Sequence, residues 1–234
     1  MLCVNGITFN MGLAHSPSII SDGLVLYLDA ANTRSYSGSG NTTYSLCGLA
    51  STSSLVNGVG FTSSNNGSFF FDGTNDYITI PHSPSINPSD NFSVQFWFMP
   101  KSAVVKTFIT KYTSGTQGWL FSFNTNTITF DGRNLTGDGY KQIASNVTMS
   151  LNNWYHVVGI KNGTNMYLYQ NSVLAGSLTW TTAGDMATNN NINISNYGGD
   201  YIQCNISQFQ LYNRVLSPSE ILQNYNATRK RFGL

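Results

Sequence analysis

Alternation of apolar and polar residues along short segments is the feature that most constrains this chain. From 92 to 98, apolar residues occupy every second position. Successive side chains of a strand point to opposite faces, so this pattern predicts a β-strand with one face in a core. The same alternation runs through 154–160 and 202–206, and its phase changes before Phe209, which predicts a bulge or a strand break there.

The segments between these runs are rich in Gly, Asn, Ser and Thr, which favour turns: 37–43, 63–68, 132–139 and 189–199. Many short strands separated by turns predict an all-β protein, an antiparallel sandwich or jelly roll. A chain of 234 residues with 41% apolar residues can fill one core of this kind. We therefore expect a single sandwich over 21–234, preceded by an arm at 1–20.

One segment, near the C-terminus, has helical signals. Ser217 can act as the N-cap, Pro218 suits the first helical position, and Glu220 can complete a capping box. Ile221, Leu222 and Tyr225 then give one apolar stripe at helical spacing. The sequence predicts a short helix over 218–229 that packs on the sandwich.

The N-terminal arm also alternates, through Ile7, Phe9, Met11 and Leu13. It has neither the basic start nor the unbroken apolar stretch of a signal peptide or a membrane span. Such an arm can add a strand to a neighbouring subunit, or it can fold back on its own sandwich. We keep both alternatives, and the first makes the arm an assembly contact between copies of the chain.

Charge and cysteine content argue against several functions. The net charge is +1 and charged residues make up 9% of the chain, so composition gives no reason to expect nucleic acid as a partner. The three cysteines, Cys3, Cys47 and Cys204, are widely spaced. No Cys-x-x-Cys pair is present, which argues against a zinc site or a redox pair and favours reduced thiols.

The stretch 69–80, FFFDGTNDYITI, combines two strand-like runs with a turn. Asp72 can cap that turn, and Gly73 can adopt a positive φ. This stretch resembles the FDGxxDYVxI motif of laminin-G-like domains in the concanavalin A-like lectin/glucanase superfamily. Other segments resemble that family's strands in the same order: 23–32, 92–98, 153–158, 166–171 and 205–221. The resemblance implies a concanavalin A-like jelly roll.

The resemblance also implies a weak candidate calcium site, because many such domains bind Ca²⁺ through Asp side chains and carbonyl oxygens. The Asp72-Gly73 turn remains here, with Asp29 or Asp76 as additional ligands. Where the family pattern has Ile-Asp-Glu, however, this chain has Ile-Ser-Gln at 206–208. The loss of a carboxylate predicts a weak site, and we expect no obligatory cofactor.

Glycosidases of the superfamily place two glutamates and an aspartate on one strand, so that an acid and a nucleophile face the same bond. This chain has a single glutamate, Glu220, which the capping box already uses. The histidines at 15, 82 and 156 belong to no recognisable catalytic motif. We expect no enzymatic activity, and we retain a glycoside hydrolase as the minor alternative.

The C-terminal segments 212–216, 220–227 and 231–234 resemble laminin-G-like proteins of tailed phages, especially marine and cyanobacterial ones. This resemblance implies a virion component on the capsid or tail, made in the host cytoplasm without a signal peptide. Its expected partners are other virion proteins and further copies of the chain, with host surface polysaccharide as an additional candidate. Neither nucleic acid binding nor membrane insertion is expected.

The alternative is a carbohydrate-binding lectin that is not part of a virion. Aromatic residues in or beside turn-rich segments could stack on sugars, and polar neighbours could bind hydroxyl groups. The candidates are Tyr36, Tyr44, Tyr140, Trp180, Tyr197 and Tyr201. The two functions are compatible, because a decoration that binds host polysaccharide would aid attachment.

Overall fold

Two antiparallel sheets of eight strands each face one another across a core. The computed structural model describes residues 17–47, 52–135, 139–182 and 184–234. The predicted arm residues Ile7, Phe9, Met11 and Leu13 lie outside these ranges. The prediction of an all-β sandwich of the concanavalin A-like type is confirmed, whereas the boundary between arm and domain stays a prediction.

We call one sheet the helix-covered sheet. Its strands are β1 (Leu24–Asp29), β4 (Gly60–Thr62), β5 (Ser68–Asp72), β7 (Asn91–Pro100), β12 (Tyr155–Asn162), β13 (Asn165–Gln170), β14 (Val173–Thr179) and β16 (Gln203–Tyr212). They follow the order β14-β13-β12-β7-β16-β5-β4, and β1 also pairs with β16. The pairing between β16 and β7 shifts register between Ile206 and Phe209, as the change of phase in the sequence predicts.

The second sheet we call the open-faced sheet. Its strands are β2 (Thr42–Thr43), β3 (Ser53–Val56), β6 (Tyr77–Ile80), β8 (Val105–Lys111), β9 (Gly118–Asn124), β10 (Thr127–Arg133), β11 (Tyr140–Ala144) and β15 (Ile192–Ile194). They follow the order β11-β10-β9-β8-β15-β6-β3-β2. In the described parts of the chain no helix crosses its outer face.

Phenylalanine rings fill the space between the sheets. Phe96 of β7 lies edge-on to Phe121 of β9 at 4.9 Å, and Phe121 stacks on Phe130 of β10 at 4.7 Å. A Cβ on Gly159 of β12 would lie 2.5 Å from the Phe121 ring. The close approach explains the glycine, since the two sheets could not pack this tightly over a larger residue.

The C-terminal helix, α1 (Pro218–Thr228), lies on the outer face of the helix-covered sheet. Its predicted start is confirmed, and it ends one residue before the predicted boundary at 229. Ile221 packs against Val158 and Ile160 of β12, while Leu222 remains exposed. Shorter 3₁₀ helices occupy Ser64–Asn66, Pro84–Ile86 and Arg229–Phe232. Among the described residues, no helix is long and apolar enough to cross a membrane.

Polar contacts also fix this helix on the sheet. The Nδ2 atom of buried Asn224 donates to Gln95 Oε1 at 3.1 Å and to the Tyr212 hydroxyl at 3.2 Å, and its Oδ1 atom accepts from the Ile20 backbone at 2.7 Å. The indole of Trp97 donates to Thr228 Oγ1 at 3.0 Å. Buried polar groups without partners are costly, so these bonds specify where the helix lies.

Glu220 stabilises the start of the helix through two partners. It accepts from the Ser217 backbone at 2.8 Å and forms a bidentate ion pair with Arg214, with distances of 2.6 and 3.0 Å. The Arg214 guanidinium is the main reason that the pKa of Glu220 falls to about 2. A carboxyl whose pKa is lowered by folding stabilises the folded state above its unfolded pKa, and this contribution disappears as the pH falls through the folded value.

Replacing Glu220 by Gln should lower the free energy of unfolding at neutral pH by about 1 kcal/mol, because a cap contact and a partly exposed ion pair are weakened. The melting temperature should fall by about 2–4 °C. The difference from wild type should shrink as the pH falls from about 4.5 towards 2. Asp185→Asn, at an exposed position, controls for loss of one negative charge. A difference that stays constant over this pH range would contradict the assignment.

Candidate functional site

A polar groove of about 330 Å³ lies on the outer face of the open-faced sheet. Strands β8 to β11 form its floor, and the loops that carry Tyr112 and Tyr197 form one side. The alternation within β10 determines what the floor presents. Phe130 and Gly132 face the core, so Thr129, Asp131 and Arg133 project into the groove.

Hydroxyl and amide groups make up most of the remaining floor. Thr107 and Ser122 share a hydrogen bond of 2.8 Å between neighbouring strands. On β11, Gln142 Nε2 donates to the Tyr140 hydroxyl at 2.9 Å, and the Tyr140 ring is about half exposed. The floor therefore presents both donors and acceptors, together with an aromatic surface.

Two tyrosines stack at the side of the groove. The rings of Tyr112 and Tyr197 lie 5.8 Å apart at an angle of 29°. Arg133 Nη1 donates to the Tyr112 hydroxyl at 3.0 Å, and the guanidinium carbon lies 5.9 Å from the centre of that ring. Beyond the two tyrosines is a smaller hollow of about 240 Å³, lined among others by Asn193 and Asn196. The tyrosine pair thus separates two adjoining polar cavities.

Asp131 is the buried acid of the groove, with only 1% of its surface exposed. Its Oδ2 atom accepts a long hydrogen bond of 3.4 Å from Thr129, and Oδ1 has no hydrogen-bond partner among the described residues. Burial raises the pKa of Asp131 to about 7, although polar neighbours including Gln142 and Tyr140 oppose the shift. This carboxyl therefore changes its charge near neutral pH.

Two of the six aromatic candidates line the groove, Tyr140 and Tyr197. Tyr44 is 52% exposed and follows β2, at the opposite edge of the same sheet. Tyr201 is half-buried in the loop before β16 and does not line the groove. The structure therefore does not bring the candidates together into one surface.

The structure corrects the remaining two candidates, which have no free ring face. Tyr36 is 4% exposed because its ring packs against Phe69 at 5.2 Å and Phe61 at 5.5 Å. Trp180 is 1% exposed and lies under β10, where a Cβ on Gly132 would come within 2.9 Å of it. Both residues follow turn-rich sequence, but each anchors its segment to the core instead of meeting solvent.

Tyr112, Asp131, Arg133 and Gln142 also line the groove, but they are not among the site residues predicted from the sequence. One signal was available in the segment TITFDGR, over 127–133, which alternates like a strand but places an acid and a base on its polar face. Charged residues are otherwise scarce in this chain, at 9%. Which strands and loops adjoin this face depends on sheet order, which the local pattern does not specify.

The candidate calcium ligands do not converge. Asp29 pairs with Gln208 of β16 and Asp72 pairs with Gln203, five positions away along the same strand. Asp29 is instead the partner of Arg231, with 2.8 Å between Oδ1 and Nη1. The other carboxylate oxygen, Oδ2, accepts a hydrogen bond from Gln208 at 2.8 Å. Because both oxygens of Asp29 have protein partners, the structure corrects the assignment of Asp29 as a calcium ligand.

The turn at 72–76 has the conformation that the sequence predicts. Gly73 has a φ of 84°, and Asp72 Oδ1 accepts from the Thr74 backbone at 2.7 Å. Asp76 Oδ2 accepts from the Asp72 backbone at 3.3 Å, and burial raises the pKa of Asp76. Within the described ranges, no three His, Cys, Asp or Glu side chains are grouped so that they could hold a metal ion. Both carboxylates here serve the turn.

Replacing Asp29 by Asn should lower the free energy of unfolding on the order of 3 kcal/mol, because Arg231 would lose the partner of its buried charge. Calcium should leave the melting temperature of the wild-type protein unchanged. Asp185→Asn, at an exposed position outside the candidate calcium ligands, is the matched control. A rise in melting temperature with calcium that Asp29→Asn abolishes would show that Asp29 is a ligand after all.

Several solved structures share this fold. They include the binding domain of Paraclostridial Mosquitocidal Protein 1 (TM-score 0.72, 18% identity, 88% of this chain and 52% of that one). The botulinum neurotoxin serotype G binding domain is similar too (0.70, 22%, 86% and 50%). A third is the serotype D ligand binding domain in complex with N-acetylneuraminic acid (0.70, 19%, 87% and 50%). The chain spans about half the length of these structures.

No curated protein sequence matches the chain. Residues 72–222, however, match the family described as the concanavalin A-like lectin/glucanases superfamily. The matched segment contains the Asp72-Gly73 turn, all four strands of the groove floor and the first half of the C-terminal helix. The chain therefore belongs to the concanavalin A-like lectin/glucanase superfamily.

Proposed function

We propose that this protein is a non-enzymatic domain that binds glycans in the groove of the open-faced sheet, and that it does so as part of a phage particle. The observation that carries the binding role is the groove itself. It combines a stacked tyrosine pair, a third tyrosine and a floor of hydroxyl, amide and carboxyl groups on the outer face of that sheet.

Sugars suit such a surface for two reasons. Their ring faces carry C–H groups that pack on aromatic rings, and their hydroxyl groups both donate and accept hydrogen bonds. Tyr112, Tyr140 and Tyr197 offer the rings, while Gln142 and Thr129 offer polar groups. A volume of about 330 Å³ falls in the range of pockets that bind small ligands.

On the outer face of the other sheet, the C-terminal helix and the 3₁₀ helix that follows cover Trp97, Tyr212 and Phe232. Structures with this fold include toxin binding domains, one of them in complex with N-acetylneuraminic acid. Those proteins are distant in sequence, so they support the fold as a scaffold for binding and leave the ligand open.

The composition of the groove argues against hydrolysis. Glycosidases use two carboxyl groups about 5–10 Å apart, one as acid and one as base or nucleophile. Asp131 is the only carboxyl group among the described residues that line the groove. Glu220 lies at the helix on the opposite sheet, where it caps the helix and pairs with Arg214. We therefore propose binding without turnover.

The location on a phage particle rests on the sequence resemblance at the C-terminus. Mass spectrometry of purified particles from the producing host should detect the chain in a fixed ratio to the major capsid protein. A chain that is found in the medium and is missing from particles would overturn the virion assignment and favour a free lectin. The binding role would be unaffected by that result.

Replacing Tyr197 by Ala should weaken glycan binding about threefold to tenfold, because loss of an aromatic contact costs about 0.5–1.5 kcal/mol. Affinity is measured by calorimetry with ligands first identified on a glycan array. Tyr44→Ala, an exposed tyrosine at the far edge of the same sheet, is the matched control and should bind like wild type. Equal affinities for wild type and Tyr197→Ala would remove the groove as the binding site.

A further inference from the structure

The guanidinium of Arg133 is the cation of the groove. Among the described residues lining the two cavities, no other side chain is positively charged, and none of the four ion pairs in this part of the chain includes Arg133. Nη1 donates to the Tyr112 hydroxyl, but the buried Nε atom has no hydrogen-bond partner. A fixed positive charge with an unused donor calls for an anionic partner.

Asp131 does not supply that partner. It projects from the same face of β10, two residues away, yet the two side chains form no ion pair. Its Oδ1 atom is buried and accepts no hydrogen bond in the described structure. The groove therefore holds an acid and a base side by side, each with an unsatisfied polar atom.

We propose that the glycan bound in this groove carries a carboxylate sugar, such as a sialic or uronic acid, whose carboxylate pairs with the Arg133 guanidinium. This inference rests on the proposed glycan-binding function. Arginine suits the role because its planar group binds a carboxylate through two parallel hydrogen bonds. The Tyr112 hydroxyl and ring hold the guanidinium at the groove, so little side-chain freedom is lost on binding.

Asp131 makes this recognition dependent on pH. The groups that face it are Leu120 and Ser122 of β9, Arg133 of its own strand, and Tyr140 and Gln142 of β11. The pKa of Tyr140 is raised to about 12, and an arginine stays charged throughout the relevant range, so neither changes its charge near neutrality. Asp131, with a pKa of about 7, does.

The direction of the effect follows from charge. Below about pH 7 Asp131 is neutral, and Arg133 then acts as an uncompensated cation. Above that pH the ionised Asp131 repels a carboxylate and offsets the charge of Arg133. Affinity for an acidic glycan should therefore fall as the pH rises through 7, while affinity for a neutral glycan should change less.

The test begins with a glycan array that carries acidic and neutral members, followed by calorimetry with 3′-sialyllactose, trigalacturonate and the neutral sugars lactose and galactotriose. Acidic glycans should dominate the array. Arg133→Gln should weaken binding of the acidic ligand about tenfold to a hundredfold, in line with about 1.5–3 kcal/mol for a hydrogen bond to a charged group. Arg133→Lys should keep part of the affinity. Lys230→Gln, an exposed cation beside the helix, should have no effect.

The second experiment measures the affinity for the acidic and neutral ligands between pH 6 and pH 8. Wild type should lose affinity for the acidic ligand severalfold over this range, and Asp131→Asn should remove the dependence while it still binds. Array binding confined to neutral glycans, or equal affinity of Arg133→Gln and wild type for the acidic ligand, would overturn this inference and leave the proposed function standing. Absence of binding to every glycan would overturn both.

Discussion

The aromatic layer between the two sheets is the constraint on which the groove depends. Because Phe130 must contribute to that layer, the strand that carries it has to turn Thr129 and Asp131 outward. A shift of one residue in register would exchange the two sets, placing a carboxyl in the core and a phenyl ring in water. Packing of the interior and presentation of the binding groups are thus two results of the same alternation.

The C-terminal helix makes the two outer faces unequal. It buries a face that contains Gln95, Trp97 and Tyr212, whose polar atoms find partners in Asn224 and Thr228. The opposite face has no such cover in the described structure, and its polar atoms are only partly paired. In the groove on that face, Asp131 Oδ1 and Arg133 Nε have no hydrogen-bond partner among the described residues.

Features that depend on neighbouring residues could be read from the sequence. The strand at 92–98, the bulge before Phe209 and the helix start at Pro218 all follow from short-range rules of alternation and capping. Features that depend on distant neighbours could not. The exposure of Tyr36 and Trp180 is set by what packs over them, and a turn-rich context does not reveal it. The hydrogen bonds of Asn224 that fix the helix on the sheet were not predicted for the same reason. The sequence predicts only the contact of an apolar stripe.

The contacts of residues 18–20 bear on how the domain can be held. The carbonyl of Ser18 and the backbone of Ile20 bond to Gln223, Asn224 and Tyr212, all on the helix side of the sandwich. The preceding segment therefore joins the domain there, on the sheet opposite the groove. An anchor that binds at residues 18–20 would hold the domain at its helix-covered face, so that the groove faces away from the point of attachment.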